Sequence, residues 1–241
     1  MEERNDLIKL IKRVIEFNLK IKIESEKETL NKLKLIYIKR FYSLSKALLL
    51  LVSSPDYNKY SIIPISIILR TCMSDFITFY YLFGLIQRKP KEYEEEIKRF
   101  LAENLFYLHR DISKNISEPE RNRLFTIMKN KWPEYFKKGK NEIIKPLSKS
   151  ISEMSKELIK SNIIFQNAYD NYNYFSKFEH IGILTFELQE YHEKTMLEDF
   201  KNITVTYSLY LDGFINIMNT CNVSNQLKKE INELIKSAKP I

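Results

Sequence analysis

Residues 61–86 form the most apolar stretch of the chain and constrain its fold more than any other feature. The only charged residues in this stretch are Arg70 and Asp75. In a membrane-spanning helix both charges would lie near the bilayer centre, where each costs about 2.5 to 3.5 kcal/mol. In the core helix of a globular protein, neighbouring helices can supply polar partners for both. We therefore predict a central core helix here and no membrane span.

Apolar side chains recur at helical spacing through most of the remaining sequence. The pattern is clear near both ends of the chain, where its members are Leu7, Ile11, Val14, Leu197, Phe200 and Ile203. No convincing run with the two-residue period of a strand occurs, and no internal repeat is evident. The sequence therefore predicts an all-α protein built as a multi-helix bundle.

The length of 241 residues, with 44% hydrophobic residues, suits one large domain. We predict a single helical domain over residues 1–241, with an N-terminal helical arm over 1–53 and a bundle body over 54–241. The body is expected to carry an exposed loop near 133–147. A capping-box pattern that begins at Ser25 leaves two alternatives for the arm, one long helix or a helical hairpin. The amphipathic length of the arm also predicts that it pairs with its own copy in a homodimer.

The composition argues against several classes of protein. The four glycines are too widely spaced to build a phosphate-binding loop, which argues against Rossmann and P-loop enzymes. Cys72 and Cys221 are isolated, and no His or Glu pair has the spacing of a helical metal site, so we expect no disulfide framework, metal or cofactor. The N-terminal residues carry charges of both signs and do not resemble a signal peptide. These features predict a cytoplasmic protein.

The basic residues of the chain are distributed unevenly. The net charge is +8, and residues 114–160 contain 12 Lys and Arg against 6 Asp and Glu. Basic regions attract the phosphates of nucleic acids. Within this region the expected loop carries Lys137, Lys138 and Lys140 close together, and these lysines are the candidates for nucleic-acid binding. The alternative is that they only solvate the loop.

The stretch from residue 169 to 182 concentrates aromatic, hydroxyl and imidazole groups in a chain otherwise rich in Lys, Ile, Leu and Glu. On a helix, Tyr169, Tyr172, Ser176 and His180 would lie on one face. That face is polar where a core helix would present aliphatic side chains. We interpret it as a candidate site, while tyrosines at this spacing also fit a protein core.

Arg70 needs polar partners, because an unpaired guanidinium in an apolar helix costs several kcal/mol. Ser74 lies one turn later, whereas Asp75 is rotated by about 140° and has to reach round or bind elsewhere. We hypothesise that the Arg70 helix packs against the 169–182 helix, so that Arg70, Ser176 and His180 form one polar cluster. That cluster is either structural or functional. The remaining members predicted for its polar network are Ser74, Asp75, Asp170, Tyr172 and Glu179.

Two segments of the chain carry a resemblance to a known family. Residues 68–82 read Ile-Leu-Arg-Thr-Cys-Met-Ser-Asp-Phe-Ile-Thr-Phe-Tyr-Tyr-Leu, and residues 174–180 read Tyr-Phe-Ser-Lys-Phe-Glu-His. Together they resemble a widespread group of uncharacterised bacterial helical proteins, which carry Leu-Arg-x-x-x-Glu on one helix and Ser-x-x-x-His about a hundred residues later. Arg70, Ser176 and His180 match that pattern. Ser74 stands at the family's glutamate position.

An all-helical bacterial protein of this size is also remotely similar to HEPN domains, many of which are RNases of toxin and phage-defence systems. Their signature places a histidine four to six residues after an arginine, on one helix face. None of His109, His180 and His192 has an arginine at that spacing. A HEPN-like enzyme would therefore need a site assembled across helices, with His180, Arg70 and Ser176 as its catalytic residues.

The sequence leaves two functions open. The first is a non-enzymatic binding component of a bacterial stress or phage-defence system, with a protein or an RNA as its partner. The second is an RNase or other phosphotransfer-type enzyme that uses Arg70 and His180. We favour the first, because no motif in the sequence fixes a reaction.

Overall fold

The computed structural model describes residues 2–21, 29–58, 61–88, 93–97, 100, 109, 114, 116–131, 133–138, 140, 142, 149–179, 196–219 and 229. Within these residues the regular secondary structure is helical, without strands, so the predicted all-α bundle is confirmed. The helices are α1 (Glu2–Leu19), α2 (Thr29–Ser53), α3 (Ile62–Arg88), α4 (Glu118–Lys131), α5 (Ile151–Ile159), α6 (Ile164–Ser176) and α7 (Met196–Asn219). Short 3-10 helices at Pro133–Tyr135 and Lys177–Glu179 follow α4 and α6.

The chain divides into two compact units. The first unit comprises residues 1–84 and 151–241, and the second unit comprises residues 85–150. The first unit therefore contains α1, α2, most of α3, and α5 to α7, whereas the second contains α4. The loop expected near 133–147 belongs to the second unit.

The N-terminal arm contains two helices, α1 and α2, which together form a helical hairpin. The helices run antiparallel: the Asn18 amide donates to the Ile38 carbonyl at 3.3 Å, and Arg4 Nε donates to the Val52 carbonyl at 2.7 Å. The Val52 carbonyl lies in the last turn of α2, where it has no partner within the helix. Arg4 satisfies it and places a positive charge at the negative end of the α2 dipole.

The apolar face of α1 is buried inside the first unit. Leu7, Ile11 and Val14 are at most 1% exposed, and α1 packs against α2 and α7. Phe17 of α1 meets Phe214 of α7 edge to face, with ring centroids 6.4 Å apart. A homodimer through the arm would therefore have to use the outer faces of the hairpin.

A cluster of aromatic rings from α2, α3 and α7 forms the centre of the first unit. Phe41 stacks on Phe214 with ring centroids 4.0 Å apart and planes inclined by 9°. Tyr37 lies 4.2 Å from Phe79 and 5.9 Å from Tyr210, measured between centroids. Such pairs contribute about 0.5 to 1.5 kcal/mol each beyond the area that they bury. The cluster therefore joins the three helices.

The central helix α3 packs closely against α7. By length and composition, one helix among the described residues, Ile62–Leu85, is apolar enough to cross a membrane, and 61% of its apolar window is buried in the protein. A Cβ atom on Gly213 of α7 would lie 2.5 Å from the ring of Phe76 on α3. Only a glycine allows this approach without displacing a ring that is itself fully buried. The burial of α3 fits the predicted core helix, and the lack of a membrane span stays a prediction.

The second unit has a small hydrophobic core of its own. Three residues are buried in it and three partly buried ones pack against them, namely Phe125, Met128 and Phe136, and Ile116, Leu124 and Tyr135. The imidazole of His109 stacks on the Phe125 ring, with centroids 4.0 Å apart and planes inclined by 11°. Among the described residues, this cluster contains fewer buried side chains than the core of the first unit.

Candidate functional site

The guanidinium of Arg70, on α3, contacts two hydroxyl groups of α6. Its Nε donates to Ser176 Oγ at 2.9 Å, and a terminal nitrogen donates to the Tyr172 hydroxyl at 3.2 Å. Its central carbon also lies 5.0 Å from the centre of the Tyr172 ring, within the range of a cation–π interaction. We name Arg70, Tyr172 and Ser176 the Arg70 cluster. Arg70 is half-buried, so the cluster lies at the edge of the core.

Both hydroxyl-bearing residues of the Arg70 cluster are held in place by α6 itself. The Ser176 hydroxyl donates to the Tyr172 carbonyl one turn earlier, at 2.6 Å, and accepts from Arg70. The Tyr172 ring stacks on Tyr169, with centroids 6.2 Å apart and planes inclined by 14°. Because its proton is committed to a carbonyl, the Ser176 hydroxyl is not poised to give that proton to a base. The arrangement is a fixed polar link between α3 and α6.

Asp75 belongs to a different cluster, formed with α2 and α7. Arg40 of α2 donates from Nε to Oδ2 and from a terminal nitrogen to Oδ1, both at 2.8 Å, in a bidentate ion pair. The Tyr210 hydroxyl of α7 donates to Oδ2 at 3.3 Å. Burial raises the pKa of the Asp75 carboxyl, while Arg40 and Tyr210 oppose that rise. We name Arg40, Asp75 and Tyr210 the Asp75 cluster.

Asp75 and Arg70 thus bind different helices, although the sequence predicted both in one polar network. Five residues along a helix correspond to a rotation of about 140°, so the two side chains meet different neighbouring helices. The sequence does not single out Arg40, because this residue follows Lys39 on α2 and resembles ordinary solvated charge. The signal in the sequence that points to such a partner is Asp75 itself, since a carboxylate in an apolar helix requires a cation from another helix.

Tyr37 is fully buried, with its own hydroxyl unpaired. Among the described residues that hydroxyl has no hydrogen-bond partner. Burial raises the pKa of Tyr37 well above its ordinary value, and the Asp75 carboxylate adds to the rise. The phenol is therefore neutral, and leaving its hydroxyl unpaired costs about 1 to 3 kcal/mol.

Within the part of the chain that the structure describes, Ser74 and Asp170 form no hydrogen bond with the Arg70 cluster. Asp170 accepts a hydrogen bond from the Gln166 amide at 2.8 Å on the exposed side of α6. Ser74 is half-buried on α3. Glu179 ends the 3-10 helix that follows α6, and its side chain lies outside the described residues. His180 lies outside them as well, so its expected place beside Arg70 and Ser176 stays a prediction.

The three candidate lysines lie on a tight turn of the second unit. The Lys137 amide donates to the Glu142 carbonyl at 2.8 Å, and the Lys140 amide donates to the Lys137 carbonyl at 3.0 Å. Lys137 Nζ also forms a salt bridge with Glu142 Oε2 at 2.8 Å. Lys137, Lys138 and Lys140 are all exposed. We name Lys137, Lys138, Lys140 and Glu142 the lysine turn.

The two units differ in charge. The second unit contains 16 of the 39 basic residues and 10 of the 31 acidic residues, so it carries +6 of the net charge of +8. The first unit, nearly three times as long, carries the other +2. A compact unit with this excess of positive charge attracts polyanions at long range.

Neither a metal centre nor a related protein identifies a reaction. The part of the chain that the structure describes contains no group of three or more His, Cys, Asp or Glu that could hold a metal ion. Comparison with protein-family profiles, with curated proteins and with solved structures found no match. The resemblance of residues 68–82 and 174–180 to known families therefore stays a prediction, and the function has to be inferred from the geometry and the charge.

Proposed function

We propose that the protein is a binding component that holds RNA through the basic surface of its second unit. The observation that carries this proposal is the concentration of +6 of the +8 net charge in residues 85–150. Neutralised phosphates release counterions, which supplies most of the affinity of sequence-independent nucleic-acid binding. A role in bacterial stress or phage defence is part of the proposal, and it rests on the sequence resemblance alone.

The lysine turn supports the proposal because its backbone is closed and its side chains are exposed. Two backbone hydrogen bonds hold the turn, and Lys138 and Lys140 extend from it into solvent. In the first unit, by contrast, the guanidinium groups of Arg4, Arg40 and Arg70 each bind oxygen atoms of another helix. Those charges serve the fold, whereas the exposed lysines are available to phosphates.

The test is equilibrium binding of fluorescent single-stranded and duplex RNA to the full chain at several salt concentrations. The proposal predicts that the logarithm of the association constant falls linearly with the logarithm of salt, by about 0.7 to 0.9 for each phosphate contacted. Absence of RNA binding at low salt would overturn the proposal. It would favour the other partner class, a protein, whose binding should be far less sensitive to salt.

The second candidate is an RNase or other phosphotransfer-type enzyme that uses Arg70 and His180. It is favoured by one observation, the fixed orientation of the Arg70 guanidinium, since a positioned cation stabilises a transferring phosphoryl group.

The test of this enzyme is digestion of total bacterial RNA by the wild type and by His180→Ala, with thermal melts of both proteins. Cleavage that disappears in a variant with an unchanged melt would assign catalysis to His180. No cleavage by the wild type would dispose of the enzyme.

A further inference from the structure

The carboxylate of Glu142 lies among basic groups of the second unit. Its Oε2 is 2.8 Å from Lys137 Nζ. Its pKa is lowered mainly by Lys137, with Lys140 next and a smaller contribution from His109. Lys137 and Lys140 therefore direct positive potential at a single exposed carboxylate.

The position of these groups is set by the fold of the second unit. Phe136, the residue before the lysine turn, is buried beside Phe125 and Met128 and anchors one end of the turn. His109 stacks on Phe125 and meets the Phe136 ring edge to face at 6.1 Å, so its imidazole is fixed next to that anchor. The hydrogen bond from the Lys137 amide to the Glu142 carbonyl closes the other end of the turn. The ammonium of Lys137 and the carboxylate of Glu142 are thus held together at a defined point of the turn.

We propose that this point is a phosphate site, and that Glu142 occupies it in the free protein. This inference rests on the proposed function and adds a form of self-inhibition to it. A carboxylate and a phosphate diester both offer anionic oxygen atoms to a lysine ammonium, so Glu142 competes with RNA phosphates for Lys137. Lys137 would thereby become the third phosphate contact of the turn, beside Lys138 and Lys140.

The salt bridge is weak enough to be displaced. The side chains of Lys137 and Glu142 are 50% and 56% exposed, and an ion pair in that setting is screened by water and salt. RNA carries condensed counterions, which are released when its phosphates bind the Lys137 ammonium. The single carboxylate of Glu142 has no such layer of counterions to release. Removing the charge of Glu142 should therefore strengthen RNA binding by more than the change in net charge alone.

The test compares Glu142→Gln with Glu120→Gln in the full chain. Both variants remove one exposed carboxylate from the second unit, so they change its net charge equally. We expect Glu142→Gln to bind RNA about threefold more tightly than Glu120→Gln and to steepen the salt dependence by about 0.7 to 0.9, the slope of one further phosphate contact. A Lys137→Gln background should abolish this difference.

The outcomes separate the two proposals. Equal affinities of Glu142→Gln and Glu120→Gln would overturn the phosphate site and leave RNA binding by the second unit intact. A gain in Glu142→Gln that persists in the Lys137→Gln background would also overturn it, because Lys137 would then not be the group released. Failure of the wild type to bind RNA at low salt would overturn both.

Discussion

Three arginines of the first unit and two lysines of the second unit use their positive charges differently. In the first unit, Arg4, Arg40 and Arg70 each bind oxygen atoms on another helix, and the net charge is close to balance. In the second unit, Lys138 and Lys140 are exposed on a closed turn, and the positive charge exceeds the negative. The planar guanidinium suits fixed contacts inside a fold, whereas the flexible ammonium suits a solvated surface that meets phosphates. The comparison indicates that the location of a basic residue, and not its charge alone, decides its role.

The largest expected effect is loss of the aromatic centre of the first unit. Phe41→Ala removes a ring stacked on Phe214 and fully buried, so it should lower the free energy of unfolding by about 3 to 5 kcal/mol. Urea denaturation of the full chain measures the free energy of unfolding. RNA affinity at low salt is measured in parallel at equal concentrations of folded protein. The exposed Ser43→Ala on the same helix is the control. A loss below about 1 kcal/mol would contradict the placing of the core in these rings.

The close approach of α3 and α7 predicts the next largest effect. Gly213→Ala improves helix propensity by about 1 kcal/mol, but its Cβ would overlap the fully buried Phe76 ring. Overpacking of this kind costs about 1 to 3 kcal/mol, so we expect net destabilisation. Lys201→Ala, at an exposed position of α7, should change the stability by less than about 0.5 kcal/mol. A Gly213→Ala variant more stable than the wild type would show that the helices are further apart.

Two tyrosine hydroxyls of the first unit should respond in opposite ways. Tyr172→Phe removes the acceptor of an Arg70 hydrogen bond and should lower stability by about 1 kcal/mol, with no change in RNA affinity. Tyr37→Phe removes a buried hydroxyl without a partner and should leave stability unchanged or raise it. Thermal melts of both variants measure the contrast. Loss of RNA binding in a stable Tyr172→Phe variant would instead make the Arg70 cluster functional.

The last prediction concerns Asp75→Asn, whose effect on stability is expected to depend on pH. Because burial raises the pKa of Asp75 above its ordinary value of 3.8, the neutral form is the better tolerated one in the fold. The stabilising contribution of neutral Asp75 is fully present below pH 3.8 and is lost as the pH rises through the raised pKa. The stability of the wild type relative to Asp75→Asn should therefore fall from pH 3 to pH 7, in melts at matched salt. The exposed Asp170→Asn should show no such trend. A relative stability that rises with pH would mean that Arg40 outweighs burial.

The sequence predicted the fold class because helical periodicity is a local property. It also pointed to the link between Arg70 and Ser176, because a guanidinium in an apolar helix needs polar partners and the sequence contains few candidates. Arg70 Nε and Ser176 Oγ lie 2.9 Å apart. It did not predict that Asp75 pairs with Arg40, since spacing along one helix gives the direction of a side chain but not the neighbour it meets. The division into two units also escaped it, because no Gly- or Pro-rich linker precedes residue 85.

The most direct test of the account compares two double variants that each remove two exposed lysines. Lys138→Gln/Lys140→Gln alters the second unit, and Lys12→Gln/Lys156→Gln alters the first, with the same change in net charge. RNA affinity across salt concentrations is measured for both, together with their melting temperatures. The account predicts that the first pair weakens binding about tenfold and reduces the salt slope by about 1.4 to 1.8, while the second pair changes neither and both melts stay unchanged. Equal weakening by the two pairs would show that net charge alone attracts RNA, and would contradict a binding surface on the second unit.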